Sequence, residues 1–136
     1  MAPPVLLLHG LATSPERTWR ESGLMDLLAD AGREVIAPTL PAHGAGASHD
    51  SAEYESLLDQ VLASFPDAAC DVVGFSLGGQ LALRAALAEP EDRAAQQCVI
   101  DVFTKRAEGE ISLMGRGLLS HAARRAEKAI AALNGE

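Results

Sequence analysis

The chain has 136 residues, of which 48% are hydrophobic and 22% charged, the balance of a globular domain able to bury a core. Eleven basic against 19 acidic side chains give a net charge of -8, so no basic surplus exists to neutralise the phosphates of a nucleic acid. No apolar run approaches the ~20 residues of a membrane span, and Cys70 and Cys98 make neither a disulfide framework nor a zinc spacing. Val5-Leu6-Leu7-Leu8 is too short for the core of a signal peptide and lacks a basic leader. The expectation is one cytoplasmic domain over residues 1–136 with reduced thiols. Charge divides unevenly: residues 1–104 carry 5 basic and 15 acidic side chains, residues 105–136 carry 6 and 4.

Val5-Leu6-Leu7-Leu8, bounded by Pro4 and Gly10, reads as a strand buried on both faces. Ser14 before Pro15 predicts a helix start. Trp19, Leu24, Leu27, Leu28 and Ala31 follow at helical spacing, loosened by Gly23 and stopped at Gly32. Glu34-Val35-Ile36-Ala37 predicts a second strand, and residues 38–50 a loop containing His43 and the solvated His49. Ser51 is the expected cap of a second helix whose apolar face runs from Tyr54 through Leu57, Leu58 and Val61 to Phe65. Cys70 to Phe75 predicts a third strand, and Leu77 to Glu89 a third helix before Pro90.

Beyond Pro90 the pattern is ambiguous. Cys98 to Phe103 fits a fourth parallel strand by its β-branched content, and a helix by the spacing of Ala95, Val99, Val102 and Arg106. A terminal helix is expected over 118–134. Alternation of short buried strands with helices predicts a three-layer α/β sandwich, with a mostly parallel sheet of about four strands and helices on both faces. Ligands of such sheets bind outside the carboxyl ends of the strands. His9-Gly10, Pro41 to Gly44 and Gly74 to Gly79 all belong to that edge.

Gly74-Phe75-Ser76-Leu77-Gly78 fits G-x-S-x-G between a strand and a helix. With 12 Gly and 9 Ser, chance alone predicts about 0.07 such matches in the chain, so the motif carries information. A sharp turn there forces the serine into a strained conformation, and glycines at 74 and 78 let neighbouring chain approach closely. The Leu77 N–H then faces the place where an oxyanion forms, beside a helix N-terminus that favours negative charge. A dinucleotide turn would need glycine at position 76.

The chain resembles the alpha/beta-hydrolase superfamily, in particular its esterase, lipase and haloperoxidase-like members. Three segments carry the likeness in the family's order: Val5 to Leu11, the strand and H-G loop; Leu40 to Ser48, the "LPGHGxS" loop; and Val72 to Gly79, the nucleophile elbow. Residues 1–96 match; residues 97–136 are divergent or a truncated tail ending in a helix. The resemblance implies that Ser76 is the nucleophile and that the N–H groups of Leu11 and Leu77 form the oxyanion hole, with Gly74 and Gly78 as elbow glycines. It implies no metal and no organic cofactor, and a small-molecule ester or related acyl substrate. His9 is implied to fix its loop rather than act as base.

A serine hydroxyl needs a base. The family's order, Ser then acid then His, exists as Ser76, Asp101, His121. Asp92, Glu108 and Glu110 compete with Asp101. His121 shares a helix face with Arg124, Arg125 and Lys128, opposite a Leu118, Ala122, Ile130 stripe, the pattern of a solvated face. The sequence is therefore compatible with a compact serine esterase, with a hydrolase truncated after its elbow and impaired, and with a non-catalytic binding module. An unsupported last strand would leave a sheet edge open to self-association.

Overall fold

The computed structural model describes residues 2–44 and 56–136. The chain forms two compact units, residues 1–82 and 83–136.

The first unit is built on a parallel sheet of three strands among the described residues, in the order β2-β1-β3, with β1 at Val5–Leu8, β2 at Val35–Ile36 and β3 at Asp71–Gly74. Val5 and Leu6 pair with Val35 and Ile36 on one side. Val5 to Leu8 pair with Asp71 to Gly74 on the other. As the central strand, β1 is covered on both faces, which is why its four residues are all apolar and all buried. Leu6 and Leu8 point into one core with Leu40, Leu57, Val61 and Leu81. Val5 and Leu7 point into the other with Trp19, and Leu24, Leu28 and Val35 pack against it. Helices thus lie on both faces, the layering that the alternating pattern predicts.

The first helical segment divides in two. Ser14 Oγ accepts from the Arg17 N–H at 3.2 Å, as a cap should. A π turn, Glu16–Arg20, follows and turns Trp19 inward. Gly23 then takes a left-handed φ of 79° and restarts the chain as α1, Leu24–Asp30. Leu27, expected on the apolar face, is exposed as a result. Gly32 ends α1 at φ 72°, where the Arg33 N–H reaches the Leu28 carbonyl and the Gly32 N–H the Ala29 carbonyl.

The next helix, α2, is Leu57–Leu62, with Leu57 and Val61 buried. Its expected cap Ser51, Tyr54, His49 and the rest of residues 45–55 lie outside the described residues, as does the Leu58 side chain. α3, Leu77–Ala88, follows β3 directly.

The second unit holds the end of α3 and an antiparallel pair, α4 at Arg93–Glu108 and α5 at Leu113–Asn134. Residues 98–103 belong to α4, so the helical of the two open readings holds there. Asp92 fixes its start by accepting the Ala95 N–H at 2.9 Å. Val99 and Ala107 of α4 and Ala123 and Ala126 of α5 are buried, the alanines allowing close approach of the helices. Buried Gln96 donates to the Ala86 and Glu89 carbonyls at the end of α3, which satisfies its amide. The expected stripe of α5 is displaced: Leu118 is 69% exposed, and the buried line runs through Ala123 and Ala126. Arg124, Arg125 and Lys128 are exposed as expected.

Because Leu7 is fully buried in the central strand, Leu7→Ala should cost about 2–5 kcal/mol. Leu113→Ala, at an 84% exposed position, should change stability by less than about 0.5 kcal/mol. Urea unfolding followed by circular dichroism measures both.

Candidate active site

β3 ends at Gly74 and α3 begins at Leu77, so the chain reverses within two residues. Ser76 takes up the turn with a left-handed φ of 54°. A non-glycine residue in this region stores on the order of 1–3 kcal/mol of strain, tolerated only where surrounding structure enforces it. Here the Phe75 N–H bonds the Leu8 carbonyl at 3.0 Å and the Gly78 N–H bonds the Phe75 carbonyl at 3.0 Å. A Cβ on Gly78 would overlap the main-chain carbonyls of Leu8 and His9, and one on Gly74 would overlap the carbonyl of Gly78. The two glycines let the first turn of α3 rest directly on the ends of β1 and β3. The Ser76 side chain is left exposed.

The loop after β1 meets this turn. A Cβ on Gly10 would come 3.1 Å from the Phe75 ring and 3.3 Å from the Ser76 Cβ, so the Gly10 main chain lies against the serine. Leu11 is the next residue. The N–H groups of Leu11 and Leu77 have no hydrogen-bond acceptor among the described residues. Leu11 and Phe75 are 59% and 57% exposed, two large apolar side chains left uncovered on the segments that carry Gly10 and Ser76.

His9 holds the loop in place. It is fully buried, accepts the Leu40 N–H at Nε2 over 2.9 Å, and so donates Nδ1–H to the Gly10 carbonyl at 2.8 Å. Both ring nitrogens are occupied, as expected for a loop-fixing histidine. Burial pushes its pKa below the ordinary 6.5; the Gly10 bond opposes this and neighbouring His43 adds to it. His43 sits edge-on to His9 at 5.2 Å between ring centres, and its Nδ1 donates to the Pro41 carbonyl at 2.9 Å. Among the described residues, the non-glycine positions with positive φ are Ala12, Ala42 and Ser76, one in each loop that follows a strand. Backbone strain is thus concentrated at the carboxyl edge of the sheet, where parallel sheets bind ligands.

Asp101 and His121 belong to the second unit. Asp101 is exposed on α4 and accepts from the Gln97 amide at 2.9 Å. His121 lies inside α5 on its exposed face, with no hydrogen-bond partner among the described residues. Neither is bonded to the other. The competitors Asp92 and Glu110 are engaged at helix starts, Glu110 Oε1 accepting the Ser112 N–H at 2.9 Å. Among the described residues no His, Cys, Asp and Glu group has a metal-binding arrangement. No helix there is long and apolar enough to cross a membrane. Sequence reasoning missed the positive φ of Ala12 and Ala42, which no residue type announces.

A sharp strand-to-helix turn presenting a serine against the loop of the neighbouring central strand is the layout of an alpha/beta hydrolase. The chain belongs to that family: the model described as "Alpha/beta hydrolase family" matches residues 5–134. It is also similar to the sn-1-specific diacylglycerol lipase ABHD11 of Xenopus tropicalis, with 32% identity over 92 residues. That match covers 65% of this chain and 28% of the relative, so the chain matches less than a third of that protein's length. No solved structure matches significantly.

Two outcomes follow from this geometry. Gly78→Ala has no room for its methyl group and should lose about 1–3 kcal/mol or more in urea unfolding. The lowered pKa of His9 means that the unfolded chain binds more protons below pH 6.5. Stability should therefore be full above that value, fall as pH drops below it, and level off below the folded pKa. His9→Gln should flatten this part of the profile in pH-resolved thermal melts.

Proposed function

We propose that the chain is a serine hydrolase acting on acyl esters, with Ser76 as nucleophile. The observation that carries this is the enforced left-handed turn at exposed Ser76, with the Gly10 main chain lying against it. Ser76 Oγ attacks the ester carbonyl and its proton passes to a base. The carbonyl oxygen becomes an oxyanion held by the N–H groups of Leu11 and Leu77. Collapse of the tetrahedral intermediate expels the alcohol and leaves an acyl-serine, which water then hydrolyses. Leu11 and Phe75 supply an apolar rim for the acyl chain. The name of the similar lipase favours a glyceride or a related ester among substrates.

For the base we propose His121, oriented by Asp101. The support is chain order alone, Ser76, Asp101, His121. The second reading is a binding module that keeps the elbow without turnover. It is favoured by the exposure of His121 and by the bond of Asp101 to Gln97. We further propose a single functional domain and a cytoplasmic setting.

A fluorophosphonate probe should add once to the wild-type chain and not to Ser76→Ala, read by intact mass. Absence of the adduct on folded wild-type protein would overturn the nucleophile assignment. His121→Ala should slow hydrolysis of activated esters about 10²–10⁴-fold. Unchanged turnover removes His121 from the reaction; labelling without any turnover in the wild type supports a truncated, impaired hydrolase, and the absence of labelling supports the binding module.

A further inference from the structure

The start of α5 is an anomaly in the second unit. Ile111, Leu113, Met114 and Leu118 are 92%, 84%, 78% and 69% exposed, although all four are large and apolar. They are held there by a well-formed helix start. Ser112 Oγ accepts the Gly115 N–H at 3.2 Å, and Glu110 Oε1 accepts the Ser112 N–H at 2.9 Å. Gly115 has no Cβ to obstruct the Glu110 side chain, which would otherwise meet it at 2.8 Å. The apolar tip is therefore fixed in place.

The same face changes character along the helix axis. One to three turns after the tip it carries Arg124, Arg125 and Lys128, all exposed. No acidic residue occurs between Ile111 and Ala126. In a chain of net charge -8 this face thus carries three cations, with exposed Glu127 beside them and Glu110 bonded at the helix start. The N-terminal end of a helix adds partial positive charge at the tip.

We propose that this face of α5 docks on an anionic lipid surface. The apolar tip enters the boundary between headgroups and acyl chains, and Arg124, Arg125 and Lys128 meet the phosphates. This is how an amphipathic helix lies on a membrane without spanning it. Charge argues against a second copy as occupant: the same face on two copies would set Arg124, Arg125 and Lys128 against their own like charges. Charge selects the surface, because a zwitterionic bilayer has no net negative potential to attract the cations. The proposal stands on α5 alone and is independent of the assignment of Ser76, but this face also carries exposed His121, so it competes with the use of His121 as the base.

The test is co-sedimentation of the full chain with vesicles of phosphatidylcholine, with and without phosphatidylglycerol. The wild-type chain should sediment with the anionic vesicles, remain free with the neutral ones, and be released as salt is raised. Met114→Asp combined with Leu118→Asp should weaken binding at least about tenfold. Reversing Arg124, Arg125 and Lys128 to Glu should weaken it roughly 100-fold, the worth of about three interfacial cations. All five positions are exposed, so circular dichroism should show unchanged helix content. Failure of the wild-type chain to bind anionic vesicles, or equal binding to neutral ones, overturns the proposal without any variant. So does full binding by both variants. A dimer in size-exclusion chromatography that Met114→Asp splits, with no vesicle binding, would show the tip to be an interface between copies instead.

Discussion

The first unit depends on one close approach: Gly78 against the Leu8 carbonyl at the end of the central strand. Any side chain at 78 would lift the start of α3 off the sheet. With the helix seated, the Phe75 N–H can reach Leu8 and the Gly78 N–H can reach Phe75. The residue between them, Ser76, has no choice but the left-handed turn. Packing thus enforces a backbone conformation that an L-residue would not choose, and exposes the hydroxyl as a consequence.

The loop facing Ser76 depends on the same strand. β1 delivers His9 into the interior, where its two ring nitrogens bond main-chain groups of two different loops. Burial favours the neutral ring, which can donate and accept at once; a protonated ring could only donate and would lose the Leu40 bond. Gly10 then brings its backbone against the serine. A buried strand, a buried histidine and three small residues therefore determine where two main-chain donors stand.

The second unit follows different rules. Its helices pair through alanines and Val99, with few large apolar side chains in the seam. The large ones that α5 does carry are gathered at its exposed start. Apolar side chains spared from the core and ranged beside arginines describe a surface that has a use outside the fold.

Where a residue's environment is dictated by its immediate neighbours, the sequence alone determined the outcome. Val5 to Leu8 could only be a strand covered on both faces, Gly32 could only end a helix, and G-x-S-x-G after an apolar strand could only be a tight turn. Tertiary structure decided the rest. Residues 98–103 suited strand and helix equally, and pairing with α5 through Val99 and Ala107 selected the helix. Trp19 was legible as apolar, but the π turn that points it inward arises from Gly23 and the core against which it packs. Leu118 fitted a buried stripe by spacing alone, yet spacing names a face and not what covers it. Ala12 and Ala42 carry no local signal for a left-handed turn; they take it because strand ends and a buried histidine fix the loops around them.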